Sequence, residues 1–354
     1  MKHRLHKPLL VLISLFLLLA CQIPVAAGVP SIPLVSTDTA VPSITATLSA
    51  TPTVAPTPLP SATPTATALK LSTATFTATV PPRVRRVVIV SIDGLRPDAI
   101  FPAPMPTLIT LMQTGAYSLG AQTVFPSITL TAHSSMLSGL CPSKHGVYWN
   151  EFIPENGHAL GTNLFDLTHA AGLKTVMYVG KQKLSQVTEA SSLDKFIYID
   201  DSDSVLMGSL TANFPEDFGI LFIHLLATDT AGHDYGWLSP EQLSVIRGAD
   251  GALGMLVAEL DARNLRSETL IIVTSDHGGS GGSHGSDARE DMTIPWVISG
   301  PGIQPKTLTT QIHTIDTAAT AAFALGLTIP AEWDGVPVYE AFGLPVERQS
   351  VQCP

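Results

Sequence analysis

Three short stretches, far apart in the chain, carry the side chains that divalent cations favour. The first is Asp93 at the end of an apolar run; the second, 229–236, reads Asp-Thr-Ala-Gly-His-Asp-Tyr-Gly; the third, 275–285, reads Ser-Asp-His-Gly-Gly-Ser-Gly-Gly-Ser-His-Gly. Asp93, Asp229 and Asp276 supply carboxylates, His233, His277 and His284 supply imidazoles, and Thr129 offers a hydroxyl between the first and second stretches. Such a donor set suits two divalent cations that grip a phosphoryl group together. Asp229 and His233 are four residues apart, so one helical turn aims both at one ion. Asp276 and His277 are adjacent after an apolar strand and diverge unless the chain bends, which the glycines at 278, 279, 281 and 282 permit. Blander readings exist for each stretch taken alone. Asp93 caps a helix, His233 lies in a polar surface loop, or 278–283 is merely a flexible Gly/Ser loop. The last of these explains neither histidine.

The elements that must position these residues alternate in type. Arg83, Arg85 and Arg86 precede the β-branched run Val87-Val88-Ile89-Val90, which reads as a buried central strand ending at Asp93. Further strands are predicted at 175–179, 220–225 and 270–274, and helices at 106–113, 164–171 and 240–262, the last with glycines at its kinks. This alternation predicts a doubly wound α/β fold with a mostly parallel central sheet and helices on both faces. In such folds ligands gather at the carboxyl ends of the strands, where Asp93, Asp229 and Asp276 all fall.

The ends of the chain read differently. Residues 1–20 resemble a bacterial export signal, with Lys2, His3, Arg4 and Lys7 before an apolar stretch at 9–19. Leu18-Leu19-Ala20-Cys21 resembles a lipobox, which implies acylation of Cys21 and an extracytoplasmic protein anchored to a bacterial membrane without spanning it. An ordinary signal peptide with an incidental cysteine is the alternative. Residues 21–82 are rich in Thr, Ser and Pro and nearly uncharged, so they read as a disordered stalk. The folded domain is expected over 83–346, with 347–354 as a tail. A net charge of −10 argues against a nucleic-acid-binding surface, yet permits a small phosphorylated substrate, a nucleotide included, because bound cations supply local positive charge. Cys141 and Cys353 either pair outside the cytoplasm or remain two lone thiols.

The order Asp…Thr…Asp-x-x-x-His…Asp-His…His resembles the alkaline phosphatase superfamily, most closely its nucleotide pyrophosphatase/phosphodiesterase branch, over roughly 85–345. The resemblance implies two divalent metal ions, zinc by preference, although manganese or iron also fits the donors. Asp93, Asp276 and His277 would hold one ion; Asp229, His233 and His284 would hold the other. It implies Thr129 as nucleophile and cation ligand and Asn150 as the phosphate's hydrogen-bond partner. Leu130-Thr131-Ala132 departs from the branch's Phe-Pro-Asn before His133, which keeps Thr131 open as nucleophile. His133 and His145 are expected to support the loop. Lys181 and Lys183 resemble a substrate-contacting Lys-x-Lys of phosphonoacetate hydrolases; a solvated pair is the alternative.

The implied reaction is hydrolysis of a phosphodiester or nucleotide pyrophosphate bond through a phospho-threonine. Sulfatase chemistry does not fit, because Cys141-Pro142-Ser143-Lys144 lacks the required Cys-x-Pro-x-Arg pattern. The Ser nucleophile, Arg clamp and third metal of alkaline-phosphatase-type monoesterases are not apparent, and a neutral Asn150 suits the lower charge of a diester. Hydrolysis of a phosphonate (C–P) or a phosphomonoester is the enzymatic alternative, and a non-catalytic surface-binding lipoprotein the alternative of another class. A substrate pocket is expected within 151–215. Phe152, Tyr178 and Tyr235 either stack on a base or pack.

Overall fold

Residues Arg86–Ile92 form β1, and every side chain from Val87 onward is buried. Alternate positions pack into different cores. Val87 and Ile89 join Leu130, Phe165, Phe222 and Trp296 on one face, while Val88 and Val90 join Leu108, Leu206, Leu253 and Leu256 on the other. A strand covered on both faces needs a continuous apolar run, which is why β1 shows no polar alternation.

The computed structural model describes residues 84–346 and 348–353. The expected export signal, Cys21 and the stalk lie outside them. The remaining strands are β2 (Ala116–Gln122), β3 (Thr175–Val179), β4 (Lys195–Tyr198), β5 (Ile220–Leu225), β6 (Thr269–Thr274), β7 (Thr293–Ser299) and β8 (Lys306–Thr307). The helices are α1 (Pro106–Thr114), α2 (Thr129–Ser138), α3 (Pro142–His145), α4 (Leu164–Ala170), α5 (Asp203–Ala212), α6 (Ala227–Tyr235), α7 (Pro240–Ala262), α8 (Arg289–Met292) and α9 (Asp316–Leu325). Among the described residues no helix is long and apolar enough to cross a membrane.

Among the described residues all eight strands belong to one sheet, in the order β4-β3-β5-β1-β6-β7-β2-β8. From β4 to β6 every neighbouring pair is parallel. β7 then runs antiparallel to both β6 and β2, and β8 pairs parallel with β2. The α/β fold with a mostly parallel central sheet expected from the alternation is therefore present, with a mixed edge beyond β6. That edge was not predicted, because Ala116–Gln122 is mostly half-exposed and carries neither an apolar run nor a regular alternation.

Cys141 and Cys353 form a disulfide with Cα atoms 5.4 Å apart, which decides between the two readings of these thiols. Ser350 adds hydrogen bonds to His313 and to the buried Asp316, so the expected tail is fastened at two points. The bridge closes a separation of 212 residues. In the chain-entropy picture such a loop contributes about 5 kcal/mol, and measured values for disulfides are more often about 2–4. Cys353→Ser is expected to lower the melting temperature by several degrees while leaving divalent-cation binding unchanged; an unaltered melting temperature would show that the bridge constrains nothing.

Candidate metal centre

The carboxyl ends of β5, β1 and β6 lie side by side, so the three stretches converge because their strands are neighbours. Asp93 follows β1 directly, and its N–H continues the ladder by donating to the Leu225 carbonyl at 3.0 Å. Asp276 lies two residues beyond β6, and Asp229 lies in the first turn of α6, just past β5. Gly94 makes the approach possible. It sits at φ +71°, and a Cβ there would be 3.2 Å from the Asp229 Cα and Cβ atoms. Its N–H donates to Asp276 Oδ1 at 3.2 Å, and the Leu95 N–H donates to Ser275 Oγ at 2.9 Å, locking the first turn to the third. Gly279 serves the same end, since a Cβ there would lie 2.2 Å from the Trp237 ring. That ring is in turn held by its Nε1–H donating to the Gly94 carbonyl at 2.9 Å.

Two groups of donors result, Asp93 with Asp276 and His277, and Asp229 with His233 and His284; within each group the donor atoms lie within 4.8 Å of one another. The groups are the two that the sequence sorted by resemblance. They touch through the His277 and His284 rings, which stack at 3.7 Å. Each imidazole is oriented by a backbone carbonyl at Nδ1: Gly278 for His277 (2.8 Å), Ser127 for His284 (2.9 Å) and Gly282 for His233 (3.0 Å). A carbonyl only accepts, so each Nδ1 carries the proton and each Nε2 presents a lone pair.

Those lone pairs face carboxylate oxygens. His277 Nε2 is 3.2 Å from Asp276 Oδ2 and 3.4 Å from Asp93 Oδ1, while His233 and His284 lie 3.5 and 3.6 Å from Asp229 Oδ1. The same three oxygens, Asp93 Oδ1, Asp229 Oδ1 and Asp276 Oδ2, are buried and have no hydrogen-bond partner. Lone pair facing lone pair is repulsive unless a cation lies between, so the donor set fits divalent metal ions on the geometry itself. Burial, and the stacked His277 ring, push the His284 imidazole down to about 4, and burial also lowers His277, so both stay in the neutral form that a metal requires. Burial and the neighbouring Asp93 charge push the Asp276 carboxyl well up. Burial acts the same way on Asp93, but the Lys181 ammonium and the His224 hydrogen bond outweigh it and hold that carboxyl well below the usual range.

Thr129 opens α2 and is fully buried. Its Oγ1 lies 3.4 Å from His277 Nε2 and 3.5 Å from Lys181 Nζ. Thr131, the alternative hydroxyl, is turned away, donating to the Val147 carbonyl at 3.0 Å. Asn150 Oδ1 accepts from the Leu130 N–H at 3.1 Å and from Lys183 Nζ at 2.9 Å, which leaves the N–H2 end of the carboxamide for an anion. The solvated reading of the lysines does not hold. Lys181 Nζ lies 2.6 Å from both Asp93 Oδ2 and Asp229 Oδ2, one carboxylate from each group. Burial opposes its charge, but those carboxylates keep it protonated. Lys183 is lowered by burial and by the Lys181 charge.

The expected supporting histidines have that geometry, with His133 bonded to the Thr129 carbonyl and Ser91, and His145 to Ser135. Of the three possible stacking rings, Tyr178 is buried in the core beside β5 and is excluded, while Phe152 and Tyr235 are exposed. A cavity of about 170 Å³ lies within the expected region 151–215, lined by His158, Ser185, Thr188, Ala190, Leu193 and Phe196. A larger one of about 340 Å³ is lined by Arg96, Phe101 and Arg289 among others and holds none of the candidate ligands. Sequence reasoning missed His224, whose Nε2 lies 2.8 Å from Asp93 Oδ2. The available signal was an imidazole inside an otherwise apolar strand.

The sheet is an alkaline phosphatase-like α/β fold with this donor set at its carboxyl edge, and the comparisons give its family. The sequence profile described as Type I phosphodiesterase / nucleotide pyrophosphatase matches residues 87–292, more than half of the chain. The chain belongs to that family. It is 27% identical over 298 residues to the human protein named GPI ethanolamine phosphate transferase 2, catalytic subunit, an alignment covering 77% of this chain and 30% of that protein. It is 26% identical over 222 residues to human ectonucleotide pyrophosphatase/phosphodiesterase family member 1, covering 55% of this chain and 24% of that one. The chain thus spans about a third or less of the length of these relatives. Murine ectonucleotide pyrophosphatase/phosphodiesterase 5, also solved as an inactive variant in complex with AMP, shares the fold with a TM-score of 0.63 at 18% identity, covering 73% of this chain and 99% of that one.

A cation that fills the space between the orphaned oxygens stabilises only the folded chain, by about 2.7 kcal/mol at a hundredfold excess over its dissociation constant. Chelated protein is therefore expected to melt several degrees below protein supplied with a divalent cation. Lys181→Met is expected to widen that gap, because in the chelated form its ammonium is the charge that compensates Asp93 and Asp229. Equal melting temperatures with and without cation would count against the donor set.

Proposed function

We propose that the chain is an extracytoplasmic, membrane-anchored hydrolase that uses two divalent cations, zinc by preference, to cleave phosphodiester or nucleotide pyrophosphate bonds through a phospho-threonine at Thr129. The observation that carries this reading is the Thr129 hydroxyl, buried at the start of α2 within 3.5 Å of both His277 Nε2 and Lys181 Nζ. In it Asp93, Asp276 and His277 hold one cation, and Asp229, His233 and His284 the other. Bound there, the cations neutralise the carboxylates and lower the pKa of a coordinated hydroxyl.

The chain's own groups do the rest. Thr129 Oγ gives up its proton to solvent and attacks phosphorus as the bond from phosphorus to the leaving oxygen breaks, and the leaving oxygen takes a proton from solvent. Lys181 is protonated and so does not take the hydroxyl proton; its ammonium instead opposes the negative charge that grows on Oγ. The carboxamide N–H2 of Asn150, held in place through Oδ1 by Leu130 and Lys183, donates to a non-bridging oxygen, as does the first amide of α2. Water then breaks the P–Oγ bond and restores the hydroxyl. The complex of the murine neighbour with AMP supports a nucleotide-sized substrate. The Cys141–Cys353 bridge supports an oxidising compartment, and the Cys21 lipid anchor and the stalk are retained on the sequence reading.

A second reading is favoured by the lysines. Lys181 beside the Thr129 hydroxyl and Lys183 at Asn150 Oδ1 suit a phosphomonoester or phosphonate, which brings one more negative charge than a diester. Zinc-loaded protein is expected to turn over bis-p-nitrophenyl phosphate faster than p-nitrophenyl phosphate or a phosphonate. The reverse order would establish the second reading, and no turnover of any of the three would leave a binding protein. Thr129→Ala is expected to reduce turnover at least about a thousandfold, on the scale of nucleophile deletions elsewhere, with cation content unchanged. Thr131→Ala should stay within a few-fold of the parent; full activity in Thr129→Ala would move the chemistry to another group.

A further inference from the structure

We propose that His224 is a positioning residue: its imidazole selects which oxygen of Asp93 is presented to a cation and ties the turn carrying Lys181 to the same carboxylate. The inference rests on the reading of Asp93, Asp276 and His277 as cation ligands.

His224 lies on β5 directly opposite Ser91 of β1, one register position before the end of the paired strands, and is fully buried. Its Nδ1 accepts the Gly180 N–H at 3.3 Å. A backbone amide can only donate, so the proton of the neutral ring is on Nε2, which donates to Asp93 Oδ2 at 2.8 Å. Lys181, the residue after Gly180, places its ammonium 2.6 Å from the same Oδ2. Oδ2 is therefore occupied by two donors, whereas Oδ1 of that carboxylate has none and faces His277 Nε2 at 3.4 Å. One imidazole thus fixes the carboxylate's rotation and the end of β3 from which Lys181 projects. A carboxylate free to rotate would exchange its two oxygens and spend part of its time with the unpartnered one turned from the other ligands.

The neighbouring His133 does different work. Its Nδ1 donates to the Thr129 carbonyl and its Nε2 accepts from Ser91 Oγ, both at 2.8 Å, so it fastens the start of α2 to β1 and makes no contact with Asp93 that replaces His224. The two rings meet edge to face at 5.0 Å. Removing the His224 donor without removing its bulk therefore separates positioning from packing.

Three variants make the test. His224→Phe keeps the ring and loses both hydrogen bonds. His224→Asn keeps an acceptor for Gly180 and loses the donor to Asp93, while His224→Gln reaches the position of Nε2 and restores that donor. Zinc binding is measured by competition with a chromophoric chelator on the full chain, with melting temperature recorded on the same samples. Loss of an outer hydrogen bond to a ligand typically weakens a metal site about 10–100-fold. The expected result is that weakening for one ion in the Phe and Asn variants, an unchanged second ion at Asp229, His233 and His284, and recovery to within a few-fold in the Gln variant. Two ions bound by the Phe variant with parental affinity, equal loss in the Asn and Gln variants, or loss of both ions together would overturn the proposal. Parental protein that takes up no zinc would sink the metal reading itself, a result distinct from any of these.

Discussion

Three carboxylates, those of Asp93, Asp229 and Asp276, are buried at the edge where β5, β1 and β6 end, and the rest of the site follows from how their charge is compensated. Like charges a few ångströms apart repel by about 4 kcal/mol even at an effective dielectric constant of 20. Such an arrangement persists only if cations or protons are supplied. The chain supplies one fixed cation, Lys181, bridging Asp93 and Asp229, and Asp276 responds by holding its proton more tightly. One ammonium and one tightly held proton against three carboxyl groups still leave the cluster short of positive charge. That shortfall, with one orphaned oxygen on each carboxylate, makes the centre a receptor for divalent ions rather than a structural ion-pair network.

Much of this was legible in the sequence, and the parts that were not share a cause. Asp93 and Asp276 could be placed because each closes a strand's apolar run with a glycine shortly after, Gly94 directly behind Asp93 and Gly278 two residues behind Asp276, a pattern that fixes both strand and turn. Asp229 and His233 could be paired because helical spacing needs no tertiary information. His284 was reached only through the order of motifs, since the six Gly/Ser positions before it carry no signal for where a loop returns. Lys181 read equally well as solvated, because its depth depends on β3 lying next to β5, which no local pattern encodes. His224 was passed over for the same reason: its partner Asp93 is 131 residues away, across a pairing visible only in the sheet. The β7–β2 edge escaped because half-exposed strands lack a clear period.

The imidazoles link the site's chemistry to the fold more tightly than the carboxylates do. A carboxylate offers two equivalent oxygens, but a neutral imidazole offers one lone pair, and its partner at Nδ1 decides where that lone pair points. Here the partners are carbonyls of Gly278 within the 275–285 loop, of Gly282 where the loop meets α6, and of Ser127 where it closes against the residues leading into α2. Ser127 Oγ reinforces the closure by donating to the Ser286 carbonyl at 2.7 Å, and Thr123 Oγ1 donates to the Asp276 carbonyl from the same segment. The segment that leads into Thr129 is therefore also the one that sets the tautomer of His284. Thr129 and His284 are positioned by one piece of backbone, so a displacement of either is transmitted to the other. This coupling gives a physical reason for the Gly/Ser-rich composition of the loop: it must pass close to Glu290, Trp237 and Ile128, where a Cβ on Gly278, Gly279 or Gly285 would come within 3.2 Å of those residues.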